Sequence, residues 1–247
     1  MNQLPQHKVY CEPFFGSGAV FFTKQPSGTE TINDIDNNIV NLFRVIRDSA
    51  DELARLIELT PYSRSELHDC ENIVGNDIER ARRFLVRVWQ SYGGKTYCNT
   101  SWAHDRTNTV FRPKYWCKLP DRLLEIVERV RMAQIENMNA LELIEMYNRE
   151  NTLLYIDPPY LRNTRTQLHY KYEFAGTEEH KELLRLCKKH VGTVIISSYD
   201  NDLYNSELDG WEKRRMTVAT NNGGSAEEVI YLSSNCTIQG SLFNVMG

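Results

Sequence analysis

The sequence predicts an α/β fold, in which the strands of an open sheet alternate with helices. Two short predicted strands, residues 8–12 and 152–156, support this prediction; the second is an apolar run rich in β-branched and aliphatic side chains, and each is followed by turn residues. A third observation is that the alternation stops between Pro61 and Pro120, where polar and basic helical patterns follow one another. We therefore expect a sheet-containing domain that is interrupted by a mostly helical insertion.

The interruption also sets the predicted domain boundaries. Residues 1–60 and 120–247 are assigned to the main domain, and residues 61–119 to the inserted subdomain. The last predicted strands, residues 211–218 and 228–233, are expected to close the sheet as a β-hairpin.

The strongest functional signal follows the strand of residues 152–156 and consists of Asp157, Pro158, Pro159 and Tyr160. A proline biases the residue before it toward extended geometry, so the Asp157 carboxylate and the Pro158 carbonyl are held as two neighbouring acceptors. Two such acceptors suit one amino group with two hydrogens, and Tyr160 adds a flat face for a planar base. An ordinary proline-rich turn is the alternative. The position favours function, because open α/β sheets bind ligands at the carboxyl ends of their strands.

A glycine-containing turn follows the strand of residues 8–12. It contains Glu12, Pro13, Phe14, Gly16 and Gly18, and it precedes an apolar helical pattern. Glycines two residues apart permit a tight turn and a close approach of the backbone to a ligand. We expect a cofactor site here; a plain strand-to-helix turn is the alternative.

An acidic residue, Asp34, ends the next predicted strand. It lies about twenty residues beyond the glycines, where nucleotide-binding units place a carboxylate for the ribose hydroxyls. Asp36 is expected to be the N-cap of an amphipathic helix over residues 37–59 that packs on the sheet. His180 is expected to be a packed helix residue and not a catalyst.

Positive charge is concentrated in one part of the chain. The whole chain has a net charge of -4, but residues 80–131 contain twelve Lys or Arg and four Asp or Glu, which gives +8 there and -12 elsewhere. A basic segment in an acidic frame is typical of a local polyanion site. For Arg87 taken singly, an ordinary solvated helix face is the alternative. The candidate residues for contact with the phosphates of a polyanion are Arg87, Lys95, Arg106, Arg112, Lys114 and, in the long segment after Tyr160, Arg165.

The composition argues against several other classes of protein. No apolar run is long enough to span a membrane, and the first residues lack the hydrophobic segment of a signal peptide. The six cysteines are scattered without the spacing of a zinc ribbon or a redox motif. We therefore expect reduced thiols, no metal and a cytoplasmic location.

The Asp157 motif, the glycine turn and their order along the chain resemble the Dam-like family of S-adenosylmethionine-dependent DNA adenine methyltransferases. The resemblance covers nearly the whole chain and implies a Rossmann-like methyltransferase fold: a seven-stranded mixed sheet with helices on both faces, a β-hairpin edge and a mostly helical inserted domain. It also implies S-adenosyl-L-methionine as cofactor and methyl transfer to the amino group of an adenine flipped out of double-stranded DNA. Related motifs occur in enzymes that methylate cytosine, RNA or glutamine, usually with Ser or Asn first, and the Asp in this chain favours adenine.

The resemblance implies roles for individual residues. Asp157 and Pro158 would accept the hydrogens of the adenine amino group, and Tyr160 would stack on the base. The glycine turn would wrap the methionine half of the cofactor, and the insertion would recognise the target DNA. Asn139 occupies a position near which the family often has an acid that contacts the cofactor adenine.

One segment of the family pattern is missing from its usual place. Dam-like enzymes share a Gly-Gly-Lys segment well before the cofactor loop, whereas this chain reaches Glu12 eleven residues after Met1. Residues 93–95 have the same letters but lie in the insertion, so we interpret them as a loop element. We expect weak cofactor affinity unless a second chain, such as a homodimer partner, or an upstream segment completes the pocket. The alternative function is a catalytically weak or inactive DNA-binding relic of the family.

Overall fold

The structure is a computed structural model and describes residues 4–92, 101–104, 112–161, 174, 176–219 and 225–236. The described residues form one sheet with the strands β1 (Val9–Glu12), β2 (Thr29–Asn33), β3 (Gln134–Glu136), β4 (Thr152–Ile156), β5 (Thr193–Tyr199), β6 (Glu212–Ala219) and β7 (Ser225–Leu232). Their helices are α1 (Ala19–Thr23), α2 (Asn37–Glu58), α3 (Arg64–Asp69), α4 (Asp77–Gln90), α5 (Arg112–Cys117), α6 (Leu119–Arg131), α7 (Ala140–Met146), α8 (Thr177–Lys189) and α9 (Asp202–Glu207).

The sheet is mixed, with the strand order β3-β2-β1-β4-β5-β7-β6. Strand β1 is parallel to both of its neighbours, and in this register Tyr10 lies opposite Glu30 of β2 and Leu153 of β4. Strands β6 and β7 form an antiparallel hairpin at one edge. The predicted seven-stranded mixed sheet with a hairpin edge is therefore confirmed. Because the chain leaves β1 toward β2 and later returns to β4 on the other side, the carboxyl ends of β1 and β4 flank a topological switch point.

Burial explains why the central strands are continuous apolar runs. All five residues of β4 are buried, as expected of a parallel strand that is covered on both faces. One apolar cluster joins β4 and β5 to three helices through Leu143 of α7, Leu183 of α8 and Tyr204 of α9. This packing fixes the strand ends that carry the candidate site.

The chain divides into two compact units among the described residues. The first unit contains the sheet and consists of the chain up to Ile35 together with the chain from Ala133 onward, and the second consists of Asp36–Met132. The predicted insertion, residues 61–119, lies within the second unit. Its boundaries remain a prediction.

Helix α2 begins where the sequence predicts. The Asp36 side chain accepts a hydrogen bond from the Asn38 amide at 2.9 Å and is the N-cap. The prediction placed this helix on the sheet, whereas the structure groups it with α4 and α6 in the second unit. Amphipathic spacing shows that a helix has an apolar face, but it does not specify which element covers that face.

The environment of His180 agrees with its prediction as a packed residue. The side chain is fully buried, with Nδ1 2.7 Å from the Tyr204 hydroxyl and Nε2 3.1 Å from the Phe174 carbonyl oxygen. Tyr204 belongs to α9, which the sequence analysis missed although Asn201 accepts a hydrogen bond from the Tyr204 amide as its N-cap. None of the described helices is long and apolar enough to cross a membrane.

Candidate active site

The turn between β1 and α1 depends on two glycines with left-handed backbone geometry. Gly16 has φ 50° and Gly18 has φ 64°. A Cβ atom on Gly18 would lie 2.2 Å from the Phe15 ring, whereas a Cβ on Gly16 would meet nothing within 4 Å. Gly18 is therefore required by the fold of the turn, and Gly16 leaves an open approach to the backbone.

The turn is fastened to the end of β2. The Gly16 amide donates to Asp34 Oδ2 at 2.9 Å, and the Phe15 amide donates to the Asn33 carbonyl at 2.9 Å. Asn33 is buried, and its side-chain amide donates to the Pro13 carbonyl at 2.8 Å. The carboxylate that the sequence predicts for the ribose thus lies beside the predicted cofactor turn.

Glu12, the last residue of β1, is a buried carboxyl. It is 2% exposed, and its Oε2 accepts a hydrogen bond from the Tyr10 hydroxyl at 2.6 Å. Burial raises the pKa of Glu12 to about 8; the Tyr10 hydrogen bond opposes this rise, and the negative charge of Asp157 adds to it. The electrostatic interaction between Glu12 and Asp157 links the predicted cofactor and catalytic residues.

Asp157 and Pro158 lie directly beyond β4, as predicted. Pro158 is buried, while Asp157 is exposed. Protein atoms around the rest of the Asp157 carboxyl partly desolvate it and raise its pKa to about 7, although a hydrogen bond with Tyr160 acts in the opposite direction. A carboxyl in this environment changes its charge near neutral pH.

Pro159 and Tyr160 complete the motif and are half-buried. The Tyr160 hydroxyl is 3.2 Å from Ser197 Oγ, and its ring packs edge-to-face on Tyr199 with centroids 4.5 Å apart. Both contacts are with β5. They hold the ring beside Asp157.

Glu228 is a neighbour of this motif that the sequence analysis missed. It lies on β7 opposite Tyr199 in the antiparallel register, it is half-buried, and its charge raises the pKa values of Asp157 and Tyr160. Burial raises the pKa of Glu228 itself. The pairing of β7 with β5 brings Glu228 to the site, and such a register is not visible in the sequence.

Asn139 has a structural role at the start of α7. Its side-chain oxygen accepts a hydrogen bond from the Leu141 amide at 2.8 Å, and the residue is exposed. Nearby in the sequence, the Asn137 side chain donates to the Asp34 carbonyl at 2.7 Å. The loop after β3 is thus tied to the predicted ribose-binding residue.

These features have counterparts in known proteins. The family model for D12 class N6 adenine-specific DNA methyltransferases matches residues 1–219. The chain belongs to this family. The predicted resemblance to DNA adenine methyltransferases is therefore confirmed.

Two relatives of this D12 methyltransferase are similar over most of their length. The type II methyltransferase M1.LlaDCHI of Lactococcus lactis subsp. cremoris is 22% identical over 242 residues, which cover 90% of this chain and 82% of the relative. The type II methyltransferase M.MjaIII of Methanocaldococcus jannaschii is 23% identical over 236 residues, which cover 85% of this chain and 81% of the relative.

The predicted DNA-binding residues of the methyltransferase lie in different environments. Arg87 is buried, and its guanidinium donates to the Glu71 carbonyl at 2.7 Å, so it supports the interior of the second unit. Arg112 and Lys114 lie on α5, partly or fully exposed. Three further predicted residues lie outside the described part of the chain: Lys95, Arg106 and Arg165.

A group of arginine and aromatic side chains lies near Arg112 in the second unit; we call it the arginine–aromatic patch. Trp102 and His104 stack with centroids 5.3 Å apart and planes at 12°. Arg64 lies over Trp102 at 5.0 Å, and Arg112 lies over Tyr92 at 5.5 Å. An antiparallel bridge between Ser91 and Trp102 joins the two chain segments that carry the aromatic residues. The patch consists of Arg64, Tyr92, Trp102, His104 and Arg112.

Proposed function

We propose that this D12 family member transfers a methyl group from S-adenosyl-L-methionine to the exocyclic amino group of an adenine that is flipped out of double-stranded DNA. The observation that carries the proposal is the meeting of Asp157 with Glu12 and the glycine turn at the ends of β1 and β4. Adjacent parallel strands bring Glu12 and Asp157 to one edge of the sheet, which supports a cofactor site and an amino-group site side by side.

The residues around the turn fit the proposed cofactor chemically. Asp34 offers a carboxylate to the ribose hydroxyls, and the open space at Gly16 permits close approach of the ligand to the backbone. Glu12 offers a carboxylate to the positively charged methionine half of the cofactor. Pro13 and Phe14 are proposed to line this part of the site. Bound there, S-adenosyl-L-methionine would supply the methyl group. Asn139 is proposed to contribute to cofactor binding through the loop before α7.

Asp157 and Pro158 are proposed to position the adenine amino group. Its nitrogen lone pair is conjugated with the ring, so two acceptors on the amino hydrogens favour a more pyramidal and more nucleophilic nitrogen. Tyr160 is proposed to stack on the base. Its contacts with Ser197 and Tyr199 already restrict the ring, so stacking requires little additional loss of rotamer freedom. Extruding the base costs a few kcal/mol, which stacking and hydrogen bonding offset.

The second unit is proposed to contain the DNA-binding surface. Arg112, Lys114 and the arginine–aromatic patch combine positive charge with flat apolar side chains, which suits phosphate contact and stacking. The proposal keeps the predicted target-recognition role of residues 61–119, together with Lys95, Arg106 and Arg165. It leaves out Arg87, because a buried guanidinium bonded to a carbonyl has no access to a phosphate.

The direct test is transfer of tritium from methyl-labelled S-adenosyl-L-methionine to duplex DNA, followed by nucleoside analysis. We expect label in N6-methyladenine with the wild-type protein and none with Asp157→Ala. Label in cytosine, RNA or protein alone would overturn the proposal. DNA binding without any transfer would identify the chain as an inactive relic of its family.

A further inference from the structure

The side chain of Tyr10, which hydrogen-bonds Glu12 of the candidate cofactor site, has no role in the proposed function so far. Tyr10 is fully buried in β1, two residues before Glu12 on the same side of the strand, and its hydroxyl donates to Glu12 Oε2 at 2.6 Å. Among the residues that the structure describes, this is the one that hydrogen-bonds the Glu12 carboxyl. Tyr10 therefore determines which way the carboxyl is turned.

A cation and its counter-ion hold Tyr10 from the other side. Lys24 Nζ lies over the Tyr10 ring, 4.4 Å from the centroid, and forms a buried ion pair with Glu30 of β2. Lys24 also donates to Ser27 Oγ at 2.7 Å. A cation on a ring face is favourable when it is desolvated, so the ring is fixed as well as buried.

The surroundings of Glu12 otherwise disfavour its charged form. Its carboxyl is buried and faces the charge of Asp157 across the β1–β4 pair, while the Tyr10 hydrogen bond and Lys24 favour ionisation. The titratable groups that face Glu12 are Tyr10, Cys11, Lys24, Glu30, Tyr155 and Asp157. Of these, Tyr10 is the group that donates a hydrogen bond to the carboxyl. A donor is effective here, because hydrogen bonds to a charged acceptor are stronger than those to a neutral one.

We propose that Tyr10 is a positioning residue for the cofactor, which acts by favouring the ionised form of the Glu12 carboxyl and by orienting it toward the positively charged methionine half. The inference rests on the proposed function, since it assigns to Glu12 the binding of that half. It adds a residue two positions before the glycine turn that does not itself contact the ligand. It also gives a role to the hydrogen bond between the buried Tyr10 hydroxyl and the Glu12 carboxyl.

The test is calorimetric titration of the full chain with S-adenosyl-L-methionine between pH 6 and pH 9. The variants are Tyr10→Phe, Glu12→Gln and the double variant. Tyr204→Phe is the matched control, because Tyr204 is equally buried and its hydroxyl bonds to His180 and not to Glu12. Thermal unfolding of each variant checks that it is folded.

For the wild type, we expect affinity to rise with pH as Glu12 ionises. Tyr10→Phe should weaken binding roughly tenfold at pH 7.5 and move the midpoint of the pH profile upward, since the remaining groups favour the neutral carboxyl. Glu12→Gln should remove this pH dependence, and Tyr10→Phe should have no further effect in that background. Tyr204→Phe should keep the wild-type affinity and midpoint.

Different failures have different meanings. No binding of S-adenosyl-L-methionine by the wild type would contradict the proposed function itself. Two results would overturn the role of Tyr10 alone, provided that the wild type binds the cofactor. One is an unchanged midpoint of the pH profile in Tyr10→Phe, and the other is an equal loss of affinity when Tyr10→Phe is introduced into the wild type and into Glu12→Gln. If Tyr10→Phe does not fold, a wild-type pH profile in Glu12→Gln still overturns it.

Discussion

Asp157 and Glu12 differ from the surface carboxylates of the same chain in the direction of their pKa shifts. The pKa of Asp200, for example, is lowered by hydrogen bonds from Lys213 and Asn205, as in an ordinary surface network. The pKa values of Asp157 and Glu12 are raised, to about 7 and about 8, chiefly by loss of hydration. Carboxyls whose pKa values are strongly raised by desolvation and by a neighbouring charge are candidates for functional sites.

Substitutions of the two predicted aspartates should separate catalysis from cofactor binding. Asp157→Ala should lower methyl transfer at least about 100-fold without loss of thermal stability, because it removes an acceptor needed at the reacting nitrogen from an exposed position. Asp34→Ala should instead weaken cofactor binding about tenfold. Single-turnover rates and calorimetric affinities of both variants check this. Equal losses of cofactor affinity would show that the division of roles is wrong.

The stability of the fold should decrease as pH rises through the range in which Glu12 titrates. Its folded pKa, about 8, lies above the ordinary value of 4.5. Between these values the folded state binds more protons than the unfolded state, so the free energy of unfolding falls with increasing pH. Glu12→Gln, which keeps an acceptor for Tyr10, should reduce the fall between pH 5 and pH 8 by at least about 1 kcal/mol. Urea unfolding at both pH values measures the free energy of unfolding of the wild type and the variant. If this free energy fell by the same amount in both proteins, Glu12 would not be a carboxyl whose pKa is raised by burial.

At the scale of single residues, the sequence predicts what depends on local geometry. Asp157, Asp34 and the Asp36 cap follow from their positions at the ends of strands or helices, and the structure places them there. The burial of Arg87 and the approach of Glu228 depend on which elements pack together, and that information is not local.

The β1–α1 turn contains two glycines whose substitution should have different consequences. Gly16→Ala places a Cβ in open space at φ 50°, so it should destabilise the fold by only about 1 kcal/mol. Gly18→Ala forces a Cβ against the Phe15 ring and should cost roughly 2–4 kcal/mol. Thermal unfolding tests this order.

The same pair tests where the ligand approaches. Gly16→Ala should weaken S-adenosyl-L-methionine binding more than tenfold despite its nearly normal stability, because its methyl group occupies the open approach. Wild-type affinity in Gly16→Ala would show that the cofactor does not approach the backbone at this position.

The arginine–aromatic patch and α5 should contribute to DNA binding without setting the target sequence. Arg64→Ala and Arg112→Ala should each weaken binding to any duplex and reduce the slope of log K against log salt by about one. Arg185→Ala is a charge-matched control, because Arg185 lies on α8 in the first unit and pairs with Glu182. Fluorescence anisotropy over a salt series measures the slopes. A loss in the control equal to that of the two variants would indicate a general charge effect.

For helices and strands, sequence periodicity predicts that an element forms better than it predicts which other element covers its apolar face. Strands β1 and β4 and the hairpin of β6 and β7 follow the predicted patterns closely. Helix α9 was missed because six residues provide less than two turns of periodicity. The grouping of α2 with the inserted helices could not be predicted, because its apolar face fits a sheet or another helix equally well.

In the whole molecule, the division of the chain into two units coincides with a division of charge. The basic stretch of residues 80–131 lies in the second unit, and the carboxyl-rich strand ends lie in the first. A polyanion is attracted by the former, whereas the latter suits a positively charged cofactor and an amino group. Membership of the D12 family agrees with both halves of this description.

We propose that the chain methylates adenine at defined sites in DNA, with Asp157 at the reacting nitrogen. The most direct measurement is base-resolution mapping of N6-methyladenine in genomic DNA from methylation-free cells that express either the wild type or Asp157→Ala. We expect methylated adenines in one short sequence motif with the wild type and none with Asp157→Ala at equal protein abundance. The absence of N6-methyladenine in both, or the same methylation in both, would contradict the proposal.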